Sequence, residues 1–199
     1  ASRVSLKEIG ERHLDPGLGV PVVGWKSISA LSARRFEFAP PTGIPLNLTA
    51  FLDFSTSQPT WKFLFGGRAP KVKIGRRSEP LAVDWSAPAA LYWQMSDLDD
   101  LDLLKVFLPT RFTDHAGLFF ATPYSEEKIP VVFVHGLNAS PGTYKALYND
   151  LVGKKWFREK YQVLFFSYPT GIAWPYNAAE FRRQLRRARE YASKKGSLT

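Results

Sequence analysis

The chain has 199 residues, 45% hydrophobic and 15% aromatic, enough apolar material for a real core and too much for wholesale disorder. It has no cysteine, which excludes disulfides, thiolate metal sites and a cysteine nucleophile. The net charge of +9 is lopsided: residues 1–128 carry 15 Lys/Arg against 14 Asp/Glu, and residues 129–199 carry 12 against 4.

The first region, up to about residue 115, reads as antiparallel and β-rich. Gly17, Gly19, Pro21 and Gly24 punctuate its start, and Ala39-Pro-Pro-Thr-Gly-Ile-Pro45 is a turn or polyproline-like link. Leu46, Leu48, Ala50, Leu52 and Phe54 then alternate with Asn47, Thr49, Phe51 and Asp53, the period of a strand. Trp61–Phe65, Lys71–Ile74 and Pro80–Trp85 follow at turn-separated spacings, which suggests a small meander or sandwich. From Pro88 to Leu104 the pattern turns helical, with Ser96 as a cap and Asp97, Asp99, Asp100 and Asp102 as an acidic first turn. These carboxylates do not make a calcium loop. Counting from Asp97, the sixth and twelfth positions hold Asp102 and Leu108 where an EF-hand needs Gly and Glu.

Gly117–Ala121 is a strand leading into the second region. After the polar turn Tyr124–Lys128, Ile129–Val134 is an apolar, β-branched run that reads as a buried parallel strand ending abruptly at His135-Gly136. Ser140-Pro141 supplies an N-cap followed by Pro at the first helical position. Tyr144, Leu147 and Leu151 mark one helical face, and Gly153 is a fitting stop. Tyr161–Ser167 is the next strand, apolar on nearly every residue and so covered on both faces. Tyr168–Pro175 is the loop at its carboxyl end. Asn177 reads as an N-cap with Glu180 as its capping-box partner, and Ala178, Phe181, Leu185, Ala188 and Ala192 form an apolar stripe. Strand, helix, strand, helix implies parallel pairing with right-handed crossovers. No apolar run approaches the ~18–20 residues of a membrane span.

The chemistry concentrates on His135-Gly136-Leu137-Asn138. An ester carbonyl gathers negative charge on oxygen as it becomes tetrahedral, and backbone N–H groups on a rigid loop stabilise it. Leu137 and Asn138 are the candidate donors, Gly136 permits close backbone approach, and His135 supports the loop. Tyr168, Thr170, Trp174 and Tyr176 either line an acyl or alcohol pocket or pack against the first region. Asp114 beside His115 is no dyad if extended, because neighbours on a strand point to opposite faces, and His13 has no Ser-centred constellation near it in sequence.

From about Gly117 to Glu190 the chain resembles the amino-terminal half of an α/β-hydrolase of the esterase/lipase type. The resemblance rests on the strand and His-Gly loop with Leu-Asn-Ala-Ser-Pro after it, on Phe166-Ser-Tyr-Pro-Thr-Gly171, and on Pro175-Tyr-Asn-Ala-Ala. The opening Gly17-Leu-Gly-Val-Pro-Val-Val-Gly24 is similar to a bacterial subgroup with a β-rich amino-terminal extension, often envelope proteins. The implied fold is α/β: a β-rich extension over residues 1–115, then over residues 116–199 the first part of an α/β-hydrolase sheet, parallel strands with crossover helices. The implied function is carboxylic ester hydrolysis on a small-molecule or lipid ester, with an envelope or periplasmic location, no cofactor, no metal and no nucleic acid. No Gly-x-Ser-x-Gly elbow occurs; Ser140 and Ser167 both lack its glycines. Nucleophile, acid and base are therefore expected beyond Thr199, in the other half of the hydrolase domain, and the 199 residues alone are expected to be inactive. Two alternatives remain: a non-catalytic binding or scaffold module, and a basic helix that attaches peripherally to an anionic membrane or to nucleic acid.

Overall fold

Among its described residues the first region holds seven short strands, in which apolar and polar residues largely alternate: β1 (Leu14–Asp15), β2 (Val20–Lys26), β3 (Ile44–Asp53), β4 (Thr60–Phe65), β5 (Lys71–Ile74), β6 (Arg77–Pro80) and β7 (Val83–Asp84). The computed structural model describes residues 4–7, 9–28, 37–40, 43–55, 57–66, 71–96 and 116–196. Strands β2, β3 and β4 form an antiparallel sheet, β5 and β6 a hairpin, and β1 pairs with β7. Register sets Val22, Leu48 and Phe65 in one row, Val20, Ala50 and Phe63 in the next, and Leu52 beside Trp61, all on one face. That face is largely open, with Val20, Leu52, Trp61, Phe63 and Phe65 exposed. The polar side turns inward instead. Thr49 Oγ1 donates to the Ala82 carbonyl (2.8 Å) and Asn47 Nδ2 to that of Asp84 (3.1 Å), satisfying backbone that would otherwise be orphaned.

Helix α1 (Ser86–Ser96) is capped by Asp84, whose Oδ1 accepts from the N–H groups of Ser86 and Ala87, both at 2.9 Å. Ser96 therefore closes a helix, where the sequence reads it as opening one. Asp97, Asp99, Asp100 and Asp102, and the Asp114–His115 pair, lie outside the described residues.

The second region forms a sheet of β8 (Gly117–Phe120), β9 (Ile129–Val134) and β10 (Tyr161–Ser167) in the order β8-β10-β9. The pair β9–β10 is parallel, as the sequence predicts; β8 runs antiparallel to β10, which corrects the all-parallel expectation. A mixed sheet of this kind, with an antiparallel strand at one edge, is common among helix-covered sheets. Central β10 is sealed on both faces. Val163 and Phe165 pack with Phe119, Ala121, Ile9 and Ala89, Ala90, Tyr92 and Trp93 of α1, joined by Tyr148 of α2 (Lys145–Gly153) and Phe157 of α3 (Lys155–Lys160). Leu164 and Phe166 pack on the other face with Leu118, Phe120 and Phe38, against Phe181, Ala188 and Tyr191 of α4 (Trp174–Gly196). Both regions of the sequence contribute to both cores.

Three local expectations are corrected. Strand β9 is less buried than expected: Ile129 and Val134 are exposed, and among the described residues β10 alone pairs with it. In α2, Tyr144 just before it and Leu151 pack on the core as expected, but Leu147 is exposed and Tyr148 and Asn149 are buried in its place. Helix α4 starts at Trp174, three residues before the predicted cap. Its inner line is Asn177, Phe181, Gln184, Ala188 and Tyr191, and Leu185 faces out. Asn177 and Gln184 can be buried because each finds partners: Asn177 Nδ2 donates to Pro169 O (3.1 Å) and Ile172 O (3.2 Å), and Gln184 Nε2 to Glu180 Oε1 (2.7 Å).

A polar seam fastens residues 11–15 to the helices. Ser86 Oγ accepts from the His13 N–H (2.8 Å), Asn149 Nδ2 donates to the Glu11 carbonyl (2.6 Å), and Arg12 pairs with Asp84 (2.8 Å). Arg158 donates to the last carbonyls of α2, Val152 and Gly153 (both 2.8 Å), reaches Asp15 (3.1 Å) and lies 3.9 Å over the Trp85 ring. Gly153 is needed here for close approach rather than as a stop alone, because a Cβ on it would come within 2.5 Å of the His13 ring.

Candidate functional site

Because β9 and β10 run parallel and in register, Phe133 beside Phe165 and Val134 beside Phe166, they deliver their loops to the same edge of the sheet. Position is set from the start of β9 by the buried Gln162, whose amide donates to the carbonyls of Ser125 (2.8 Å) and Lys128 (2.9 Å) and accepts from the Ser125 N–H (3.0 Å). At the far end His135 is 3% exposed and its ring stacks on that of Tyr168, centroids 4.2 Å apart and planes 9° from parallel. The Tyr168 hydroxyl donates to the His135 carbonyl at 2.6 Å, and the Tyr168 N–H donates to His135 Nε2 at 3.3 Å. Nδ1 lies 3.1 Å from the Gly136 carbonyl, which can only accept. These contacts select one tautomer: Nδ1 carries the proton and Nε2 is a bare acceptor. Burial favours this neutral form and pushes the imidazole below its ordinary pKa, while the hydrogen bond to the Gly136 carbonyl pulls the other way. With both ring nitrogens occupied by backbone partners, His135 has no lone pair free to act as a base.

The other end of the loop is held as firmly. The Tyr144 hydroxyl donates to the Val134 carbonyl (2.6 Å) while its ring stacks on Phe133 (4.9 Å, 19°). Ser140 Oγ accepts from the Gly142 N–H at 3.2 Å, capping a 3-10 turn, Pro141–Tyr144, that leads into α2. Between these anchors Gly136, Leu137 and Asn138 arch into solvent, and Asn138 sits in the left-handed region at φ 54°, a conformation asparagine tolerates better than most residues. Neither the Leu137 nor the Asn138 N–H meets an acceptor among the described residues. A Cβ on Gly136 would meet nothing within 4 Å, so no packed neighbour requires glycine there and its space opens outward.

Tyr168 belongs to the loop anchorage rather than to a pocket wall. Thr170 is half-buried in the turn before α4, and Trp174 is 80% exposed at its first residue, so Trp174 neither lines an enclosed pocket nor packs against the first region. A small cleft lined by Phe38, Ile44, Phe120, Tyr124 and Tyr191 lies toward the opposite end of the sheet, where Phe120 pairs with Leu164. Two contributors were not assigned these roles from sequence: the Tyr144 hydroxyl, there only an apolar helix position, and the Asn177 amide, there a cap. Tyrosine and asparagine at apolar-periodic positions were the available signal.

Nucleophilic machinery is not assembled here. Among the described residues no hydroxyl hydrogen-bonds to a histidine ring, Ser140 is engaged as a cap, and Ser167 ends β10. His13 Nε2 stands 3.6 Å from Asp150, yet the nearby Ser86 is fully buried and bonded to the His13 backbone, not to its ring. No group of three or more His, Asp or Glu suited to a metal ion occurs among the described residues, and no described helix is long and apolar enough to cross a membrane. No protein-family model, no curated protein and no solved structure matches the chain.

Proposed function

We propose that this chain supplies the oxyanion-binding side of a carboxylic ester hydrolase of the α/β-hydrolase type, with nucleophile, acid and base provided by residues outside 1–199. The observation that carries the proposal is the pair of unengaged N–H groups at Leu137 and Asn138, on a loop clamped at both ends at the carboxyl edge of a parallel strand pair. In such a site the ester carbonyl oxygen points at these donors. As an alkoxide adds to the carbonyl carbon, the π electrons move onto that oxygen, and each donor stabilises the anion by roughly 2.7–4 kcal/mol. Neutral His135 positions the donors and takes no part in proton transfer. The substrate class is a small-molecule or lipid ester.

The test expresses the reading frame through and beyond Thr199 and treats the product with a fluorophosphonate probe. Labelling of a serine outside residues 1–199, together with hydrolysis of a short p-nitrophenyl ester, is the expected result. Labelling of Ser140 or Ser167, turnover by residues 1–199 alone, or a stop directly after Thr199 would overturn it. A second reading, a non-catalytic binding module, is favoured by the open apolar face of the β2-β3-β4 sheet with Trp61, Phe63 and Phe65, and absence of any labelled serine would support it.

A further inference from the structure

We infer that the carboxyl edge of the β8-β10-β9 sheet and the outward face of α4 together form a docking surface for an anionic lipid bilayer. Helix α4 buries Asn177, Phe181, Gln184, Ala188 and Tyr191, which fixes the opposite side as solvent-facing. Two of its arginines are engaged, Arg183 with Glu180 and Arg187 with Glu37, each at 2.6 Å. Arg182, Arg186 and Arg189 are exposed and form no ion pair among the described residues, and their spacing of four and three stacks them in one outward row. Like charges at that spacing destabilise a helix unless an outside anion meets them.

The same helix begins in an apolar turn at the sheet edge. Trp174 and Tyr176 are 80% and 62% exposed, and on the adjoining loop Leu137 is 83% exposed. Three large apolar side chains held in water by a rigid edge, followed by a cationic row, match the two layers of a bilayer surface. Tryptophan and tyrosine sit at headgroup depth and guanidinium groups pair with lipid phosphates. A nucleic acid fits less well: the aromatic residues lie at one end of the arginine row and are not interleaved with it as a stacking platform. The inference stands whether or not the loop takes part in ester hydrolysis.

Flotation with vesicles tests it, comparing phosphatidylcholine alone with phosphatidylcholine containing about one third phosphatidylglycerol. The protein should float only with the anionic vesicles and release at high salt. The triple variant R182Q/R186Q/R189Q should lose affinity by on the order of 100-fold, about fivefold per arginine. L137A/W174A/Y176A should bind more weakly at every salt concentration. K71Q/K73Q/R77Q removes the same charge from the exposed β5–β6 hairpin and should bind like the parent, separating a local surface from net charge; melting curves confirm that the variants fold. Equal loss from the hairpin variant, no preference for anionic vesicles, or tighter arginine-dependent binding to a single-stranded RNA oligomer would each overturn the inference.

Discussion

Replacing Tyr168 by Phe isolates the lock that shapes the loop. The substitution deletes the 2.6 Å hydrogen bond to the His135 carbonyl and keeps the ring stack and the backbone bond to Nε2. A neutral hydrogen bond nets about 0.5–1.5 kcal/mol, and a carbonyl left half-buried recovers part of its loss from water, so about 1 kcal/mol is expected. For a chain of this size that corresponds to a fall of roughly 2–4 °C in Tm. The histidine makes a separate, pH-dependent contribution. Burial holds the folded His135 below the ordinary value near 6.5, so between those two values the unfolded chain binds more protons and stability rises with pH. The contribution is complete above about pH 6.5 and drains as pH falls toward the folded value, where a proton on Nε2 would face the Tyr168 N–H. Thermal melts from neutral to mildly acidic pH should show Tyr168→Phe shifted down but parallel to the parent, and His135→Asn with a shallower slope. Ring ¹⁵N shifts should report the Nδ1–H tautomer, and amide exchange at 136–139 should speed up in Tyr168→Phe. An Nε2–H tautomer, an unchanged slope in His135→Asn, or unchanged melting and exchange in Tyr168→Phe would refute the reasoning.

Phe165 is fully buried and meets the rings of Tyr92, Trp93, Phe133 and Tyr148, so Phe165→Ala should cost about 3–5 kcal/mol by chemical denaturation. Gly153→Ala forces a methyl into the His13 ring and should cost about 1–3 kcal/mol, most of it regained when His13→Ala is added; no recovery in the double variant would locate the strain elsewhere. Among the described residues strand β9 has one apolar edge without a partner strand, so the 199-residue chain should associate with rising concentration in sedimentation velocity. Ile129→Lys with Val134→Lys should reduce that association, and an unchanged profile would show that the edge is not the contact.

Local pattern carried the sequence reading a long way. Lys71–Ile74, Ile129–Val134 and Tyr161–Ser167 are strands with the predicted ends, and the Ser140 cap and the stop at Gly153 stand as read. These features depend on residues within a few positions of one another, where steric and hydrogen-bonding preferences act directly. What composition could not supply was the neighbour. In α4 the lines 178/185/192 and 177/184/191 share Phe181 and Ala188, and apolar character alone favours the first. The second is buried because Asn177 and Gln184 find acceptors and Tyr191 packs edge-on against Phe38 and Tyr124, facts of tertiary placement. The same limit applies to the β2-β3-β4 sheet, where period two was legible but the inward side was decided by Thr49 and Asn47 meeting carbonyls more than thirty residues away.

The candidate site divides along that line too. His135 and the arch after it were legible because a glycine and an asparagine interrupt an apolar run before a cap. The stack with Tyr168 was not, since the two residues are 33 apart in sequence and adjacent only because β9 and β10 are in register. Strands β9 and β10 have nearly the same apolar composition, yet β10 is sealed and β9 leaves Ile129 and Val134 in water. Hydrophobicity of that kind is ordinarily matched by cover on both sides of a strand. Under the proposed reading, a further strand carrying a nucleophile would pair with β9 along the edge left open among the described residues, beside the unengaged N–H groups of Leu137 and Asn138. The proposed reading therefore makes one joint prediction: a protein in which a fluorophosphonate-reactive serine appears outside residues 1–199 should also be one in which self-association through β9 disappears.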